Sequence, residues 1–374
     1  MQPPIMRDSP SLPDTNLEGC NVGFTYDDVV KELYLGLLER SADDSGFESY
    51  LEALRRGAHL RDIIRNMVAS GEFQTRNNSA LTLSIVLPDL TKLYPDKYIR
   101  KGSESAIFGV SSDNDFALME SLIVKNRYYD SFGAWAPKID LDKRVTAAIV
   151  RGLRARSCIE LGCFTGSVLS LLAEQGVDVC GVEISHLAFL LAHANIHEKI
   201  RFGNLLELHF DIVYDVFLGM DVLEHLNPLH LSRYIARIAE LIKRDGFAYI
   251  NSPMFGTDDV FGTVFEAYLP EWQQAGEDDF WRYMHCDAKG WPMHGHLVWA
   301  SPRWWENAFL HHRLVRDRNI EAVLHTLLEP FFETVAPARR SFFVLRHCDF
   351  TPDVGMVGRH LSSTISPVMT GLTA

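Results

Sequence analysis

The run SCIELGCFTGS at 157–167, followed by VCGVEIS at 179–185, constrains this chain more than any other stretch. It reads as strand, glycine turn, helix, strand and acid. Cys158, Ile159 and Leu161 suit a buried strand, Gly162 and Gly166 allow a tight turn that approaches a ligand closely, and a helix starts at Val168. Glu183 ends the second apolar run, where a carboxylate can accept hydrogen bonds from ribose hydroxyls. This order predicts a nucleoside pocket. The turn lacks the G-x-G-x-x-G of dinucleotide sites, with Phe164 where a middle glycine is expected, and no G-x-x-x-x-G-K-[ST] loop occurs anywhere. The expected ligand therefore carries no phosphates.

Downstream, FDIVYDVFLGMDVLEHL at 210–226 is an apolar strand ending in Asp221, Glu224 and His225. Helical spacing follows over 229–243, then a turn at 244–246 and a strand at 247–251. Together these runs resemble the ordered motifs of class I S-adenosylmethionine-dependent methyltransferases, closely over 145–253 and more loosely through a helix at 302–314 and a last strand at 341–345. The family's acid-x-Gly-x-Gly-x-Gly is matched at Glu160, Gly162 and Gly166, and Phe164 departs from it. The resemblance implies an α/β fold, a Rossmann-like doubly wound seven-stranded sheet, with S-adenosyl-L-methionine as cofactor. It further implies that Glu160, Gly162, Phe164 and Gly166 hold the methionine end, Glu183 the ribose and Asn204 the adenine. Asp221 and His225 would lie near the sulfonium.

The 374 residues allow a large α/β core plus a smaller companion. A net charge of −13 argues against a general nucleic-acid surface, which needs a concentrated positive field. The six cysteines, at 20, 158, 163, 180, 286 and 348, form no C-x-x-C pair and are expected to be reduced thiols. With no signal sequence and no apolar run of bilayer-spanning length, the expectation is a cytoplasmic protein without membrane insertion.

Residues 1–24, with four prolines and few large apolar side chains, are expected to be a flexible leader. Over 25–80, Val29, Val30, Leu33, Tyr34, Leu37 and Leu38 repeat at helical spacing, and two more helices are predicted at 47–56 and 60–69. LYLGLLER at 33–40, Asp44-x-Gly46, Tyr50 and SGEF at 70–73 resemble the small bacterial DUF4214 domain. That resemblance implies a glycan context, with glycan-assembly enzymes as partners. Tyr34, Phe47 and Tyr50 fit either a sugar surface or a core.

Residues 81–144 read as a connector, with a helix at 113–125 and an aromatic lid at Tyr128, Tyr129, Phe132 and Trp135. The 252–300 insertion of the 145–374 domain is expected to define the substrate, because Tyr268, Trp272, His285 and Asp287 mix stacking faces with hydroxyl-reading groups. Oxygen methylation requires a proton acceptor, for which His294 and His296 lead and His225 follows. A metal-free site is expected; the alternative ligands are His285-x-Asp287 with Asp258 and Asp259. The sequence thus points to methylation of a sugar or glycan hydroxyl. The alternatives are nitrogen or carbon methylation of another small metabolite, or a noncatalytic scaffold.

Overall fold

The computed structural model describes residues 25–38, 40–73, 86–126, 128–129, 138–185, 188–189 and 191–370. The leader and the lid candidates Phe132 and Trp135 lie outside the described residues. The chain divides into two compact units, 1–80 and 81–374.

In the first unit, helices Tyr26–Leu38, Asp44–Arg55 and Leu60–Ala69 pack around Val30, Tyr34, Leu54, Ile63 and Met67. Asp43 caps the second helix by accepting from the Gly46 N–H at 2.9 Å. Tyr34 is buried, with the Tyr50 ring at 6.2 Å and the Arg40 guanidinium at 5.0 Å. Phe47 and Tyr50 are half-buried against the same cluster. These aromatics build a core.

The second unit is organised by a seven-stranded sheet. From edge to edge its strands are Leu314–Arg316, Phe342–His347, Ile242–Asn251, Tyr214–Met220, Ser157–Leu161, Asp178–Glu183 and Ile200–Phe202. The last five in that order run parallel, and Phe342–His347 enters antiparallel. Every residue of Ser157–Leu161 is buried, as expected of a central parallel strand covered on both faces. Helices Leu141–Gly152, Ser167–Glu174, Arg318–Thr334 and Val354–Met369 supply one hydrophobic layer, and Pro228–Leu241 with Pro302–Leu310 supplies the other. The chain moves outward from Ser157–Leu161 and later returns to its opposite side as Tyr214–Met220. A crevice opens at that reversal, at the carboxyl ends of the strands.

Three local expectations are corrected. The turn at 244–246 is absorbed into strand Ile242–Asn251 as an irregularity in register, where Gly246 lets the Asp215 carbonyl approach closely. The helix expected over 302–314 ends at Leu310, and Leu314–Arg316 is a strand at the edge of the sheet. The connector is an ordered part of the second unit: Tyr98–Lys101 pairs with Ser105–Gly109, which pairs with Tyr283–Asp287 of the insertion. This small antiparallel sheet and helix Asp113–Lys125 share a core rich in aromatic rings.

Arg316 ties the insertion to the main sheet. Its buried guanidinium meets Asp258 at 2.5 and 2.7 Å and Glu321 at 2.6 Å, and stands 4.3 Å from the Phe343 ring centre. Arg316→Ala would strand two buried carboxylates and should cost about 3–5 kcal/mol. Denaturant unfolding should read this as a lower midpoint at unchanged slope; a loss below about 1 kcal/mol would contradict it.

Candidate functional site

The glycine turn adopts left-handed backbone at Gly162 (φ 65°), Phe164 (φ 53°) and Gly166 (φ 73°). Phe164 therefore takes the conformation that glycine adopts freely, a strained choice for an aromatic residue. Its N–H donates to Glu183 Oε2 at 2.8 Å, which fixes the turn against the end of the neighbouring strand. A side chain at Gly166 would place its first carbon 2.3 Å from Ile196 Cδ1, and one at Gly162 would meet Val222 at 2.8 Å. Glycine is favoured at both positions by the left-handed backbone and the closeness of these side chains.

Glu183 Oε1 accepts from the N–H groups of Ile184 and Ser185 at 2.8 and 2.7 Å. Burial raises its carboxyl, and these three N–H groups oppose that. A carboxylate offers about four acceptor directions, so one on Oε2 remains for a ribose hydroxyl. Glu160 is buried beside it with Oε2 unpartnered, and is pushed up to about 8 by burial, with Glu183 adding to the effect. An orphaned carboxylate oxygen suits a cationic ligand. Asn204 Oδ1 accepts from the Leu206 N–H and the Tyr234 hydroxyl, both at 2.9 Å. Its amide nitrogen can donate to a ring nitrogen, whereas an exocyclic amine would compete for the occupied oxygen.

Asp221 (φ 48°) follows strand Tyr214–Met220, and its N–H bonds the Asn251 carbonyl at 2.9 Å. Arg339 Nη1 lies 2.5 Å from both Asp221 Oδ2 and Asn251 Oδ1, while Nε and Nη2 each reach Asp142 at 3.0 Å. The sequence reading missed Arg339 and Asp142. Neither stands in a motif, and only the antiparallel entry of the last strand brings Arg339 to this edge.

Glu224, His225 and His296 converge, and each offers one ligand-type atom within 4.8 Å of the others. Glu224 is 1% exposed; Oε2 accepts from Ser252 Oγ at 3.0 Å, and Oε1 has no partner. Burial pushes its carboxyl up to about 8, with Asp221 contributing. His225 Nδ1 donates to the Gly295 carbonyl at 3.2 Å, and Tyr129 donates to the same oxygen at 3.1 Å. Burial depresses both imidazoles, His296 to about 2 with His225 contributing. His294 is exposed, in left-handed backbone at φ 57°, with its ring 5.6 Å from that of His296.

The expected substrate residues do not form a common surface. Trp272 is fully buried and donates to the Tyr283 carbonyl at 2.9 Å, which makes it core. Tyr268 and His285 share a 2.7 Å hydrogen bond, and Asp287 accepts from the N–H groups of Lys289 and Trp291 as a turn cap. Asp258 is committed to Arg316, so the alternative metal ligands do not assemble. A separate cavity of about 310 Å³ is lined by Phe116, Trp281, Trp304, Leu229, Val298 and Asp113. It adjoins the histidine cluster, since the Val298 N–H bonds the Glu224 carbonyl at 2.9 Å. No spacing in the sequence distinguishes Trp281 and Trp304 from the buried Trp272.

Residues 135–314 match the methyltransferase domain family and residues 18–77 match the domain of unknown function DUF4214. The ubiquinone biosynthesis O-methyltransferase of Rickettsia akari (strain Hartford) is 25% identical over 149 residues, covering 38% of this chain and 58% of the relative. The chain thus spans a little over half the length of that curated relative. Among solved structures, the CcbJ methyltransferase from Streptomyces caelestis is 20% identical, with a TM-score of 0.38, covering 56% of this chain and 97% of that one. CalS10, an amino pentose methyltransferase from Micromonospora echinaspora, is 14% identical, with a TM-score of 0.37, covering 60% of this chain and 96% of that one. The strand–turn–acid pocket at the reversal of the sheet and the matching family segment make this a chain with a class I S-adenosylmethionine-dependent methyltransferase domain, preceded by a DUF4214 domain.

Proposed function

We propose that the protein methylates a hydroxyl of a sugar or glycan intermediate, using S-adenosylmethionine. The observation that carries the donor half is Glu183, whose carboxylate is seated against the glycine turn with one acceptor direction left open. Glu160, Gly162, Phe164 and Gly166 would hold the methionine end, Asn204 the adenine, and Asp221 with His225 would border the sulfonium. When bound, this cofactor supplies a methyl group activated by the positive sulfur. The chain's part is to position the acceptor, exclude water and take the proton.

For the acceptor, the aromatic cavity offers tryptophan faces for a sugar ring and the Asp113 carboxylate for its hydroxyls. The curated relative's name, an O-methyltransferase, supports oxygen as the methylated atom. The glycan setting, with glycan-assembly enzymes as partners, is taken from what the DUF4214 resemblance implies. His294 is the residue we assign as proton acceptor, because its ring is exposed beside the cluster whereas His225 and His296 are enclosed within it. Tyr129 closes over the cluster by bonding Gly295 and anchors the start of the lid. A cytoplasmic setting is part of the proposal, supported by the free thiols of Cys158, Cys163, Cys180 and Cys286. Among the described residues no helix is long and apolar enough to cross a membrane.

Glu183→Ala should weaken S-adenosylmethionine binding by about 1.5–3 kcal/mol, roughly tenfold to a hundredfold by calorimetry, and unchanged affinity would remove Glu183 from the ribose site. Glu160 holds a proton below about 8 in the free protein, and a cation beside it favours the carboxylate. Binding should therefore release a proton, and affinity should rise with pH and level off above the free value. Calorimetry in buffers of different ionisation enthalpy reads this linkage, which Glu160→Gln should abolish. His294→Ala should lower kcat about 10²–10⁴-fold at unchanged cofactor affinity, measured as methyl transfer to a cell-envelope sugar extract.

A further inference from the structure

Glu224, His225 and His296 carry features of a metal site that a hydrogen-bonded core does not need. Two of their atoms, Glu224 Oε1 and His296 Nδ1, are buried without any partner. An unmet buried acceptor ordinarily costs about 1–3 kcal/mol, so Glu224 Oε1, which faces the His296 ring, calls for an occupant. His296 Nε2 and Glu224 Oε1 are 4.0 Å apart, too far for a hydrogen bond. The remaining atoms are oriented as outer partners orient metal ligands. Ser252 donates to Glu224 Oε2 and leaves Oε1 free, while the Gly295 carbonyl accepts from His225 Nδ1–H and leaves the Nε2 lone pair available.

The backbone fixes this convergence. The N–H groups of Leu297 and Val298 both bond the Glu224 carbonyl, at 2.8 and 2.9 Å, which clamps the segment bearing His296 onto the segment bearing Glu224 and His225. We propose that Glu224, His225 and His296 bind one divalent first-row metal ion, with zinc the best match to two imidazoles and a carboxylate. Ligand atoms at zinc distances stand about 3.4 Å apart in a tetrahedron, so separations of up to 4.8 Å close by side-chain rotation. Three protein ligands leave the fourth position open.

The ion's task rests on the methyl-transfer reading: a hydroxyl in the open position becomes more acidic through coordination. The acceptor O–H proton passes to His294, the oxygen lone pair forms the bond to the methyl carbon, and the electron pair of the broken carbon–sulfur bond remains on sulfur. This separates the roles of the three histidines. His225 and His296 hold the ion, and His294 takes the proton.

The test uses untagged full-length protein stripped with a chelator and titrated with zinc chloride, manganese chloride and magnesium chloride. The expected result is one saturable zinc per chain by elemental analysis and calorimetry, with a visible absorption band when cobalt(II) replaces zinc. Glu224→Gln, which keeps shape and removes charge, and His296→Ala should each weaken zinc binding at least about a hundredfold. His209→Ala is the control for adventitious binding, because His209 and Asp211 form an exposed pair at 2.9 Å. Absence of saturable zinc binding overturns the proposal, as does binding that survives in Glu224→Gln and His296→Ala or disappears in His209→Ala. S-adenosylmethionine affinity is measured on the same samples. Zinc binding without cofactor binding defeats the methyl-transfer reading alone, and cofactor binding without zinc defeats the metal site alone.

Discussion

The bonds from the N–H groups of Phe164, Ile184 and Ser185 to the Glu183 carboxylate join the turn after one strand to the end of the next. A parallel pair has no hairpin to fix its carboxyl edge, and in this chain the Glu183 side chain aligns the two loops. Glu183 does this while remaining available to a ligand. The left-handed Phe164 depends on that bond for its position, and Gly162 brings the turn close to Val222 beyond the neighbouring strand. Thus loops from three adjacent strands are positioned around one crevice.

A second arrangement completes the crevice from the far side of the chain. The insertion is anchored at one end by the Arg316 network and along its length by pairing with Ser105–Gly109. Between these anchors it delivers His294 and His296 to the carboxyl edge. The connector and insertion are distant in sequence but share one aromatic core, in which the Tyr128 ring stacks on Trp291 at 5.1 Å. Next to that core, the Tyr129 ring stands 5.8 Å from the ring of His225.

Much of the glycine-turn crevice was legible because its determinants are local. Glu160, Gly162, Gly166 and Glu183 lie within one strand–turn–helix–strand unit, and alternation between apolar runs and glycine turns exposes it. The seven-stranded sheet was implied by the family resemblance rather than by periodicity, and the short edge strand Leu314–Arg316 starts where a helix was expected to end. The aromatic cavity was less legible because tertiary packing decides which aromatics are exposed. Trp272 and Trp281 look alike as residues, yet one is wholly enclosed and the other lines a cavity. Arg339 and the partnership of Glu224 with His296 arise from chain reversals that no periodicity records.

Both outer strands of the main sheet, Leu314–Arg316 and Ile200–Phe202, are only three residues long. Each also directs an arginine inward or across a ring: Arg316 into its buried carboxylates and Arg201 over Phe210 at 4.7 Å. A long, flat border would offer unpaired backbone groups to another chain. These brief, charged borders provide little template for strand addition, so the extensive β-structure is compatible with a crowded solution without polymerising edge to edge.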